Sequence, residues 1–142
     1  MDIYTLIATA NFFLQIVVLM LLFVGVWFKM RKKFRQHGIT MLSAVVLHTV
    51  AIFAIMIPAF IVISLGDFPL AISTITAVHG VLGLTAEVLG LWIVVSWRLR
   101  SSLRYCAPKK RWMLLTVILW SAALIMGVVI YLHFYTPLLP LQ

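Results

Sequence analysis

Imidazole, carboxylate and thioether groups stand at intervals in long apolar runs of this sequence. "TAVHGVLGLTAEVLG" carries His79 and Glu87, "VVLHTV" carries His48 and "IYLHFY" carries His133. Two histidines on different helices can ligate a b-type haem from opposite faces, so His79 and His133 are candidate axial ligands. Gly80 and Gly83 beside His79 would admit a flat macrocycle, although the small residues Gly83, Ala86 and Gly90 equally suit close helix packing. Imidazole with thioether suits Cu(I), which makes copper held by His79 with Met56 or Met126 a further, weaker option. His48 and Glu87 form a second candidate, a hydrogen-bonded pair sharing a proton or an ion pair. A proton-relay or quinone-site role and contact with another subunit are the alternatives there.

What must position these residues is a set of membrane helices. Of the 142 residues, 65% are hydrophobic, with a mean hydropathy of +1.19, against about half apolar in a soluble domain. Four stretches, roughly 4–28, 39–63, 71–97 and 112–134, are each long enough to span an apolar core about 30 Å thick. They leave no room for a soluble domain, and the sequence predicts one all-α domain. The first stretch lacks a basic start and a small-residue cleavage site, so it reads as a retained helix rather than a signal peptide.

The net charge of +8 does not point to nucleic acid once its distribution is considered. Lys29, Arg31, Lys32, Lys33 and Arg35 fill the first connection, and Arg98, Arg100, Arg104, Lys109, Lys110 and Arg111 fill the third. The acidic Asp2 and Asp67 fall at the N-terminus and in the second connection. This asymmetry predicts an antiparallel four-helix bundle in the cytoplasmic membrane, with both basic loops cytoplasmic and both termini outside. The basic loops then meet anionic lipid headgroups. Trp92, Trp97, Trp112, Tyr131 and Tyr135 supply interface anchors. Pro58 is expected to kink the second helix towards its outer end. Cys106, the one cysteine, can form neither an intrachain disulfide nor a thiolate cluster.

At about 1.5 Å of rise per residue the interior separates into two polar layers. Asn11, His79 and His133 lie in the outer half, with His133 a turn or two further out. Glu87 lies about 12 Å below His79, near the depth of His48. His79 is expected either to bond Asn11 or to ligate something. His37 and His48 share a helix face if the helix begins before His37, but at about 16 Å they cannot hold one ion. No phosphate loop, nucleophile elbow, HExxH pair or CxxC is present, so the motifs give no support to an enzyme acting alone.

The pattern resembles the CtaM/YozB-like family of small four-helix membrane proteins. The likeness lies in "HGITM", with His37 four residues before Met41, and in "VHGVLG", with His79 early in helix three. A basic loop then leads into "TVILWSAALIMGVVIYLHFY", where Thr116, Trp120, Gly127, Tyr131 and Tyr135 follow a similar spacing. The family's last cytoplasmic loop usually has a His-Arg or His-Lys step where this chain has Lys109-Lys110, and His48 and His133 have no counterpart in its pattern. The resemblance implies a role in maturation of haem-copper oxidases, with His37 and His79 as functional candidates. In the topology above those two histidines occupy opposite halves of the membrane, which speaks against one ligand set. Two functions follow as expectations. One is a non-catalytic accessory subunit or assembly factor of a respiratory oxidase or oxygenase, with Gly25, Gly90 and Gly127 at helix contacts. The other is a b-type haem electron-transfer protein.

Overall fold

The computed structural model describes residues 3–66, 68–97 and 107–135. Asp2, Asp67, Arg98, Arg100, Arg104, Cys106 and the proline-containing tail from residue 136 lie outside the described residues. Those described are helical apart from short turns, with no strand among them. Helix α1 covers Ile3–Met30 and α2 covers Phe34–Ala51. A π-helical turn, Ile52–Met56, joins α2 to α3, Ile57–Leu65. Helix α4 is Leu70–Trp97, and a 3₁₀ turn, Ala107–Lys109, opens α5, Lys110–Tyr135. Four helical segments are long and apolar enough to cross a membrane: α1, α2 with its continuation through α3, α4 and α5. They are called the first to fourth spans below.

Several spans begin or end further out than hydropathy alone predicts, while the third ends at Trp97 as expected. The second starts at Phe34 instead of near residue 39, taking in Arg35, Gln36 and His37. A hydropathy window discounts such residues, whereas helical hydrogen bonding does not, and an arginine at a helix end can extend its charged head to the interface. Between the first two spans the backbone reverses in three residues. Lys33 N–H bonds Phe28 O at 2.9 Å and Lys32 N–H bonds Lys29 O at 3.0 Å, with Lys32 left-handed at φ 58°. This is a Schellman motif with lysine in the position that glycine usually takes. Pro58 stands just after the π turn. It has no N–H for the carbonyl four residues earlier, and the wider turn carries the chain past that gap.

The core is small and drawn from all four spans: Val18 and Leu22, Ala44 and Val45, Ala86, and Trp120. Large apolar side chains point outward, Phe13 at 61% exposure, Phe53 at 69% and Ile125 at 64%. Such an exterior suits hydrocarbon, where burial against water is not the driving force and small residues let helices approach. Several hydroxyls inside the spans bond the carbonyl one turn back, as Thr74 does to Leu70 and Thr85 to Val81, which satisfies them without a partner helix.

The ends of the spans meet in a regular way. At one end Gly25 and His37 make contact, Trp97 covers Gly38, Trp92 packs edge-on against Trp112 and Lys29 reaches Met113. Arg31 lies 5.3 Å over Trp27 and Lys109 lies 5.6 Å over Trp92, so cations and indoles are interleaved there. At the other end Thr9 meets Tyr131 and Phe68 meets Phe134.

Candidate functional site: polar contacts across the helix interfaces

Three buried or half-buried histidines each reach from one span to the next. His37 enters the first turn of α2 and its Nδ1 lies 2.8 Å from Gly25 O on the first span. A carbonyl oxygen only accepts, so Nδ1 carries a proton and donates it. The Trp97 indole covers Gly38 so closely that a Cβ there would lie 1.4 Å from Cζ3, and its ring centre is 6.3 Å from that of His37. Met41 packs on Gly25 in the same layer.

The middle layer pairs an imidazole with a carboxyl group. His48 and Glu87, each 4% exposed, meet across the second and third spans with His48 Nδ1 2.8 Å from Glu87 Oε2. The Thr49 hydroxyl bonds the other carboxyl oxygen, Oε1, and also lies 2.8 Å from Val45 O. Trp120 sets its ring 4.7 Å from the His48 ring, and Gly90 opposite makes room for Val45, Thr116 and Trp120. Sequence reasoning placed His48 and Glu87 at one depth but missed Thr49. Its adjacency to His48 is the signal, since neighbouring residues on a helix differ by only 1.5 Å in height.

The outer layer joins the third and fourth spans. His79 Nδ1 lies 2.8 Å from Ala123 O, so here too Nδ1 is the donor. Its ring fills the notch at Gly127, where a Cβ would approach Cε1 to 3.1 Å. The expected bond to Asn11 is replaced by this one, while Asn11 Oδ1 accepts from Gln15 Nε2 within the first span. No sequence signal marks a backbone carbonyl as a partner, because the carbonyl is present at every residue.

His133 packs against Phe134 with ring centres 5.0 Å apart, six residues and about 9 Å of rise beyond the glycine that seats His79. Met56 lies in the π turn of the second span and Met126 in the fourth. Among the described residues no three or more His, Cys, Asp or Glu side chains gather where a metal ion could be held. Tyr131 closes the first and fourth spans, its hydroxyl 3.0 Å from Thr9 Oγ1 and its ring stacked on Phe12 and Tyr135. Each of the four helix interfaces thus carries at least one hydrogen bond made by a side chain. Compared with protein families, curated proteins and solved structures, the chain matches none.

Proposed function

We propose that this chain is a non-catalytic accessory subunit or assembly factor of a respiratory oxidase or oxygenase complex. It is an antiparallel four-span bundle of the cytoplasmic membrane, with basic loops inside and termini outside. The observation that carries this reading is the closed circuit of polar contacts. His37 fastens the first span to the second, His48 the second to the third, His79 the third to the fourth and Tyr131 the fourth to the first. Groups that would otherwise be candidates for chemistry are engaged in holding helices together, and the exterior is left apolar for lipid and partner subunits. The end contacts support the antiparallel arrangement, since Lys29 meets Met113 while Thr9 meets Tyr131. The oxidase setting rests on the resemblance carried by His37, Met41, His79, Trp120, Gly127 and Tyr131.

The test is deletion of the gene with assay of the terminal oxidases, alongside purification of the tagged protein in mild detergent. Reduced haem-copper oxidase content in the deletion strain, with oxidase subunits in the purified sample, is the expected result. Normal oxidase content and activity would overturn the proposal. A reduced-minus-oxidised spectrum and metal analysis on the same sample test the second function directly. A haem band in the isolated chain that disappears in His79→Ala would replace the accessory reading with electron transfer.

A further inference from the structure

We propose that Glu87 is held as a neutral carboxylic acid, which makes the His48–Glu87–Thr49 layer a proton-holding site inside the bundle. This goes beyond the accessory reading and does not depend on which complex the chain serves.

The argument begins with counting hydrogens. The Thr49 hydroxyl has one proton and stands within bonding distance of two acceptors, Val45 O and Glu87 Oε1. If Glu87 were a carboxylate, Thr49 would have to share its one hydrogen between the two acceptors in a weaker three-centre bond. With a proton on Oε1 every contact is used once. Glu87 Oε1–H donates to Thr49 Oγ1, Thr49 donates to Val45 O, and His48 Nδ1–H donates to Glu87 Oε2. His48 then needs only its Nδ1 proton and is neutral. The ion-pair alternative has the same total number of protons, but places the second on His48 Nε2 and separates full charges.

The surroundings favour the neutral form. Both side chains are almost completely enclosed, beside the core residues Val45, Ala86 and Trp120, and an apolar enclosure penalises separated charge. Among the described residues no cation of the basic loops pairs with the layer. Arg35 is thirteen residues before His48, about 20 Å of helical rise, and Glu87 is ten residues, about 15 Å, from the end of its helix at Trp97.

The chain contains only three acidic side chains, Asp2, Asp67 and Glu87, so infrared spectroscopy can read this carboxyl directly. In lipid vesicles at neutral pH the wild-type protein should show one carboxylic-acid carbonyl band that shifts in D₂O. Glu87→Gln should abolish it, and Thr49→Val should move it to higher frequency because the acid proton loses its acceptor. As a second measurement on unmutated protein, ¹⁵N-histidine NMR should give His48 one protonated and one unprotonated ring nitrogen. Carboxylate bands alone would overturn the proposal, and protonation of both His48 nitrogens would then identify an ion pair. An acid band that persists in Glu87→Gln would overturn it as well.

Discussion

The histidines of this protein differ in how far their surroundings could be read from residue type. His48 and Glu87 face the same requirement, two costly polar groups at one depth, and mutual satisfaction is a solution open to side chains that can reach each other. Their separation is 2.8 Å. His37 and His79 instead use carbonyls whose identity is invisible in sequence, and the latter takes Ala123 O in place of Asn11. The difference has an energetic consequence. Replacing one member of the His48–Glu87 pair strands the other in an apolar core, whereas replacing both removes the problem. Hydrogen bonds between membrane helices average about 0.6 kcal/mol and reach about 1.7, because the separated helices find other partners. We therefore expect His48→Leu and Glu87→Leu each to destabilise by about 1–2 kcal/mol and the double variant to cost clearly less than their sum. Unfolding of all three in mixed micelles measures this, and strict additivity would mean that the two groups are not energetically paired.

At the scale of elements, length and apolarity were enough to delimit four spans, but not what seats one span on another. The glycines show why. Gly38, between His37 and Ile39, and Gly83, between Leu82 and Leu84, are both helical glycines. Yet a Cβ at Gly38 would collide with the Trp97 ring at 1.4 Å, while one at Gly83 would only touch Ala123 at 4.0 Å. The partner tryptophan is 59 residues away in sequence, so no local pattern reveals the requirement. The same substitution should consequently have opposite results. Gly38→Ala forces the indole out of its seat and should destabilise by about 1–3 kcal/mol. Gly83→Ala meets ordinary van der Waals contact and, by stiffening the unfolded chain, should be neutral or stabilise by up to about 1 kcal/mol. Thermal unfolding of the detergent-solubilised variants compares them, and equal losses at both sites would show that the Trp97 contact does not fasten the second span to the third. Lys32 makes a related point in a turn: a left-handed lysine gives no glycine signal, so the abrupt reversal after Met30 is legible only in the backbone.

For the whole molecule, orientation rests on charge rather than on shape. The helix contacts set which ends lie together, Gly25 with His37 and Lys29 with Met113 at one end, Thr9 with Tyr131 at the other. They are indifferent to which end faces the cytoplasm. The eleven lysines and arginines break that symmetry, because all fall in the first and third connections or at the adjoining helix ends, and translocating them is disfavoured. Interleaved tryptophans reinforce the assignment only in part, since aromatic belts occur at both interfaces. The chain supplies its own reporter in Cys106, its single cysteine, which lies in the third connection. A membrane-impermeant maleimide should label Cys106 in inverted membrane vesicles and leave it unlabelled in intact cells. In a Cys106→Ser background, Leu141→Cys should give the reverse pattern if, as proposed, the C-terminus lies outside. Labelling of Cys106 from outside intact cells would invert the whole topology. If both positions were labelled from the same side, an even number of crossings would separate Cys106 from the C-terminus, and the four-span arrangement itself would fail. The paired reporters therefore test the number of spans together with their direction, which a single site could not do.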